Sequence, residues 1–416
     1  MVDGPMPEDY DFNAAMIHHN HVYEIDLFYL TSSQLRRLAS TMQEQFPALT
    51  HLLLESAYDS RPVPALPDGF LGGLAPSLQS LGLYSIPFPA LPRLLLFSTD
   101  LVCLTLWNIP HSGYISAEAI VTGLAVLANL KSLTIGFESP RSRPNQENWP
   151  PPPPTRTVLP ALTRFGFHGV SKYLEDLMAR IDAPLLDSIR INFFNQLIFD
   201  IPQLARFMRH TKRFQAVNEA DIIFDDDGVR VEILPPTLTF DKTSRLRISC
   251  RRMDWQLLFL ARVFTSFIPS IYMVEQLYIQ SSQYSPSRLQ DDIQNMQWLE
   301  NFRQFTAVKN LSVCKELAPS IALTPQDLIF ERAADVLPAL ENLFLEDAQR
   351  VWLQRGLHDV KVAKRRALLV GISYEGSTDE VWTLLAYPHD DVDNFRELLI
   401  SVYFIHRVSS GNQFLS

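Results

Sequence analysis

FPALTHLLLES, residues 46–56, sets leucines at 49, 52 and 54. This apolar-x-x-apolar-x-apolar spacing recurs at Leu78, Leu81 and Leu83, at Leu101, Leu104 and Leu106, and at Leu130, Leu133 and Ile135. It continues at Leu162, Phe165 and Phe167 and at Leu186, Ile189 and Ile191, with a weaker copy near Phe214 and Val217. Leu246 with Ile248, Val274 with Leu277 and Ile279, Val308 with Leu311 and Val313, and Leu340 with Leu343 and Leu345 complete it. Successive copies start about 23–34 residues apart, close to the roughly 20–29 of leucine-rich repeats. Segments between copies carry helical spacing behind a capping residue or proline: SSQLRRLASTMQEQF, SAEAIVTGLAVLA, SKYLEDLMARI, DWQLLFLARVFTSFI, DDIQNMQWLENFRQF and PQDLIFERAADV. The interval from 78 to 101 is too short for a full helix, and the prolines of IPFPALP predict an extended or 3₁₀ crossing.

Strand, turn and helix repeated about eleven times predict an α/β solenoid of leucine-rich-repeat type, with a parallel concave sheet and convex helices. A doubly wound domain also alternates strand and helix, but holds fewer copies of one spacing. The chain divides into a lead-in or cap (1–30), the solenoid (31–347), a linker (348–363) and a last segment (364–416). Where a regular repeat carries Asn or Cys after the strand, this chain has Ala57, Ile86, Ile109, Val170 and Phe194, so apolar packing replaces a polar ladder. A proline-rich insertion spans 139–157; SPRSRPNQENWPPPPPTR reads as a surface loop or as a docking peptide for a proline-recognising domain. ADIIFDDDGVRVEIL (220–234) reads as a hairpin, with Asp225, Asp226 and Asp227 as turn chemistry rather than a calcium loop.

Composition narrows the function. The 416 residues are 47% hydrophobic and 20% charged, with 36 Lys and Arg against 46 Asp and Glu. A net charge of −10 argues against a nucleic-acid binder. No apolar run approaches the roughly 18 residues of a membrane span, and the N-terminus lacks the pattern of a signal peptide. A cytoplasmic or nuclear location is expected. Cys103, Cys250 and Cys314 lie far apart and read as structural thiols. The His18, His19 and His21 cluster lacks metal-ligand spacing. Phosphate-loop, dinucleotide, zinc-protease and nucleophile-elbow motifs are absent, so neither a catalytic residue, a cofactor nor a metal is expected.

Residues alternating with the apolar set face the concave side. They include Tyr84, Trp107, Arg164, His168, Arg190, Arg245, Arg247, Tyr278 and Phe344. Aromatics and arginines dominate protein interfaces, so this face is expected to hold a protein target with an acidic patch.

Residues 15–347 resemble the repeat region of basidiomycete F-box proteins. The likeness rests on SSQLRRLASTMQEQFPALTHL, PDGFLGGLAPSLQSLGLYSIPFPALPRLLL, LWNIPHSGYISAEAIVTGL, GVSKYLEDLMARIDAPLLDSI, FFNQLIFDIPQLARF and SCRRMDWQL. It implies the target-recognition region of a cullin–RING ubiquitin ligase receptor. An F-box with its Leu-Pro-x-Glu opening does not precede the repeats, so binding to a Skp-type adaptor is not expected. KRRALLVGISYEGSTDEVWTLLAYPHDDVDNFRELLISVY resembles the first strand and helix of a caspase-like or metacaspase domain. The family's catalytic His and Cys have no counterpart: no Cys follows Cys314, and His389 and His406 are out of place. The alternative function is therefore a repeat sensor on a truncated, inactive cysteine peptidase.

Overall fold

The computed structural model describes residues 2–5, 18–57, 62–140, 155–195, 200–211, 217–225, 228–234, 244–249, 271–281, 302–314 and 336–346, with Gln256, Phe259, Leu260, Ala261, Val263 and Phe264. The caspase-like segment, Cys250, most of the proline-rich insertion, and Asp226 and Asp227 lie outside them. So do most of DDIQNMQWLENFRQF and PQDLIFERAADV.

Strand, helix and strand alternate in an α/β architecture. The first strands are β1 (Val2–Pro5), β2 (Glu24–Leu30), β3 (His51–Ser56), β4 (Ser80–Tyr84), β5 (Cys103–Ile109) and β6 (Ser132–Phe137). Next come β7 (Thr157–Val158), β8 (Arg164–Gly169), β9 (Ile181–Asp182), β10 (Ser188–Phe193) and β11 (Glu219–Asp225). The last are β12 (Gly228–Leu234), β13 (Ser244–Ser249), β14 (Gln276–Ser281), β15 (Asn310–Cys314) and β16 (Asn342–Glu346). Among the described residues one sheet has 14 strands in the order β1-β2-β3-β4-β5-β6-β8-β10-β13-β12-β11-β14-β15-β16, and β7 pairs separately with β9. Only β12 runs antiparallel to its neighbours.

The apolar triplets fall on these strands, and one hydrogen-bond device sets each of nine of them in phase. The carbonyls of Tyr23, Thr50, Gln79, Val102, Lys131, Thr163, Asn218, Glu275 and Lys309 each accept two successive backbone N–H groups of the next strand's start. A tight turn precedes each of these nine starts: the N–H of Leu49, Leu78, Leu101, Leu130, Leu162, Leu186, Val274, Val308 and Leu340 donates to the carbonyl three residues earlier. Residues at both ends of the turns, such as Phe46 with Leu49 and Leu127 with Leu130, are buried, except Leu340, which is partly buried. The apolar pattern thus extends one turn upstream of the triplet.

Two departures from the sequence expectation concern local elements. The lead-in contains β1 and β2, both paired into the sheet. Val22, Ile25 and Leu27 have the repeat spacing and are buried, but interleaved Glu24 and Asp26 mask it. The crossing between 78 and 101 holds a five-residue α-helix, not only extended chain or a 3₁₀ turn. Pro92 sits in its first turn, where a missing N–H costs nothing.

The described helices are α1 (Ser32–Thr41), α2 (Leu91–Leu95), α3 (Ala117–Leu124), α4 (Ser171–Arg180) and α5 (Pro202–His210). Thr31 and Gln34 form a capping box on α1, and Ser116 caps α3 by accepting the Ala119 N–H. Leu35, Leu38, Ile120, Leu174, Leu177, Leu204 and Phe207 join Leu52, Leu104, Leu133, Phe165 and Ile189 in one buried cluster. One face of the sheet therefore lies against the helices. At its centre Tyr173 is fully buried against Phe137, with ring centroids 4.7 Å apart, and donates to the Ile115 carbonyl at 3.1 Å.

Alternation along β5 makes the two faces unequal. Leu104→Ala, on the helix side, should cost about 2–5 kcal/mol in denaturant melts, whereas Trp107→Ala should cost under about 1 kcal/mol. Equal losses would reject the assignment of faces.

Glu175 on α4 caps α5 from outside, its Oε2 accepting the Gln203 N–H at 2.7 Å and its Oε1 the Leu204 N–H at 2.9 Å. Those bonds favour the carboxylate, but burial outweighs them, with Asp200 adding to it, and its pKa rises to about 7. The folded chain then holds this proton above the pH at which the unfolded chain releases it. Stability should fall as pH rises from about 4.5 to about 7. Glu175→Gln should flatten the change in melting temperature across that window; parallel profiles for the two proteins would refute this.

Candidate protein-binding face

The face away from the helices is organised by register into rows that cross the strands. The middle row runs Asp26, Leu53, Gly82, Thr105, Thr134, Gly166, Arg190, Arg245, Glu232, Asp221, Tyr278, Ser312 and Phe344. Above it Glu55 pairs with Tyr84 and Tyr84 with Trp107; then Gly136, His168, Asn192, Arg247 and Arg230 follow across β6, β8, β10, β13 and β12. Arg164 lies one step below the middle row, opposite Ser188. Eight of the nine residues picked out by alternation are on these two rows, and Arg164 is in the row below.

Trp107 is the exposed aromatic of the group, at 38%. The β5–β6 register shifts between Leu106 and Ile109, and Asn108 adopts a left-handed backbone with φ 57°. Asn108 Nδ2 holds that bulge by donating to Ser85 Oγ at 2.7 Å. The Trp107 ring lies over Gly136, where a Cβ would come within 2.8 Å of it. It stacks on His168 at 5.5 Å between centroids, and His168 meets Phe194 at 4.4 Å. Burial first, and Arg247 second, lower the His168 pKa, which favours a neutral ring. Burial, Cys103 and Glu55 raise that of Tyr84, against a hydrogen bond from Thr105.

The arginines divide into two sets. Arg245 Nε is 2.7 Å and Arg230 Nε 3.0 Å from Glu232 Oε1, and Arg247 is 3.6 Å from Asp225. The two Glu232 contacts are close in distance but are not aligned as hydrogen bonds, so their attraction is mainly Coulombic. Glu232 and its neighbour Asp221 are only 5% and 4% exposed. Arg164 and Arg190 are exposed and have no ion-pair partner among the described residues. Arg245 and Arg247 are therefore held within the face. Among the described residues, the arginines of this face without an ion-pair partner are Arg164 and Arg190.

Reading the hairpin only as turn chemistry missed Arg230, Glu232 and Asp221. The signal was the alternation of Val229, Val231 and Ile233 with Arg230 and Glu232 along β12. Cys103 is half-buried and Cys314 buried. His19 Nε2 stands 3.5 Å from Glu44, and its ring meets Phe46 edge-on. No group of three potential metal ligands occurs among the described residues. No family model matches the chain, and no curated protein matches it.

If Gly136 is the seat of Trp107, Gly136→Ala should lift the indole and raise its acrylamide quenching. The Trp107 contribution is isolated by subtracting the signal of Trp107→Phe. Unchanged quenching would show that the ring does not rest there.

Proposed function

We propose that the chain is a leucine-rich-repeat-type solenoid serving as a non-catalytic protein-binding module. It is of the target-recognition type found in F-box receptors, and it acts in the cytoplasm or nucleus. The repeated turn and shared carbonyl ahead of successive parallel strands support the repeat reading. Among the described residues no helix is long and apolar enough to cross a membrane.

One observation carries the binding role. Tyr84, Trp107, His168, Asn192 and Arg247 hold adjoining register positions on the side of the sheet away from the helices. An indole held by a histidine, with a phenol beside it and Arg164 and Arg190 on the same face, combines the residue types that anchor interfaces. The target covers Trp107 with apolar surface and answers Arg164 and Arg190 with acidic groups. The caspase-like alternative depends on residues 364–416, outside the described part, and no observation favours it.

Affinity capture of the tagged full chain from its own cells, with quantitative mass spectrometry, tests this. Tyr84→Ala, Trp107→Ala and Arg190→Ala together should deplete the specific partners about tenfold or more. Arg36→Ala with Arg93→Ala, on the helix side, should not. Identical partner profiles for both variants would reject the face as the binding site.

A further inference from the structure

Resting on that reading, we infer that Arg164 and Arg190 read two carboxylates at alternate positions of an extended acidic segment in a protein partner. Across β13, β12 and β11, Arg230, Arg245 and Arg247 stand on the same face as the carboxylates of Glu232, Asp221, Asp225 and Glu219. Arg164 and Arg190 are left as two single positive charges.

Their geometry selects the ligand. Arg190 is in register with Gly166, and Arg164 lies two residues before Gly166 on the same strand. One strand spacing and two residues separate the pair by about 7–8 Å at the backbone. Alternate residues of an extended chain project from one side about 7 Å apart, so a carboxylate at each meets one planar guanidinium fork. A single phosphate dianion would need both guanidinium groups to converge against their mutual repulsion. Gly166 has no side chain between them, and Thr134 leans toward it, with Oγ1 2.9 Å from where a Cβ would stand. Thr134 therefore covers Gly166, and the segment lies over its side chain. The phosphate spacing of a nucleic acid would find two unpaired arginines here among the described residues, too few for counterion-driven binding.

The test uses the full chain and labelled synthetic decapeptides, read by fluorescence anisotropy at low salt. One peptide has glutamates at alternate positions. A second has Gln for each Glu, and a third has one phosphoserine in place of the glutamates. The glutamate peptide should bind, and the Gln peptide should bind at least about tenfold more weakly. Affinity for the glutamate peptide should fall steeply with added salt. Arg164→Glu with Arg190→Glu should abolish binding while the melting temperature holds. Arg36→Glu with Arg93→Glu, the same charge change on the helix side, should reduce it far less. Preference for the phosphoserine peptide or for single-stranded DNA, equal binding of Glu and Gln peptides, or no binding of any would overturn the inference. If Arg164→Glu with Arg190→Glu leaves cellular capture intact while Trp107→Ala removes it, the carboxylate reading fails and the binding role stands.

Discussion

Lateral pairing of parallel strands in a single register is the constraint on which the rest of this protein depends. Side chains alternate between faces with a period of two, so a slip of one residue would turn the apolar set outward. The carbonyl shared by two N–H groups at nine strand starts prevents that slip. It fixes which residue of a new strand lies beside which residue of the last. The tight turn before it, anchored by buried side chains at both ends, delivers the chain to that carbonyl at a constant phase. Rows of side chains across the outer face then follow without further specification. Tyr84 meets Trp107, and Arg190 meets Arg245, because Leu83 meets Leu106 and Ile191 meets Leu246.

The constraint survives one interruption. From β10 the chain passes to β11 and leaves two strand positions open, which β12 and β13 fill in reverse spatial order. Only β12 points the other way; β13 stays parallel to β10, and β11 to β14. An antiparallel strand alternates faces as a parallel one does. Val229, Val231 and Ile233 therefore enter the core, and Arg230 and Glu232 emerge beside Arg245 and Arg247. Glu232 is a charge in a poorly hydrated position, and two guanidinium groups within 3.0 Å offset its desolvation. The inserted strand consumes much of the positive charge that the neighbouring strands expose.

These two features separate what was legible in the sequence from what was not. Leu-x-x-Leu-x-Leu determines a strand and its buried face locally, and those strands were legible. So was the hairpin, whose turn residues are local. The β2 strand obeys the same spacing, but Glu24, Asp26 and the histidines before it hide the signal. The five-residue α2 depends on Pro92 falling in a first turn, a matter of one position. Strand order was not legible. Leu246 and Ile248 look like one more serial copy, and only long-range pairing with Ile191 and Phe193 shows them next to β10. The nine face residues were legible from alternation alone. Which arginines are free was not, since that depends on Glu232 and Asp225 arriving from an insertion.

Trp107 and the free arginines complement each other energetically. An exposed aromatic that moves freely must be ordered on binding, which weakens association. Gly136 beneath the indole and His168 stacked on it have already ordered this one. The arginines add direction. The whole chain is acidic, at −10, and would repel an acidic partner in the absence of salt. At physiological ionic strength charges are screened over about 8 Å, roughly the distance between Arg164 and Arg190. A partner arriving at the sheet therefore responds to these two charges more than to the sum over the surface. Local charge sets the orientation of the partner, and the preordered indole supplies contact area that needs no rearrangement.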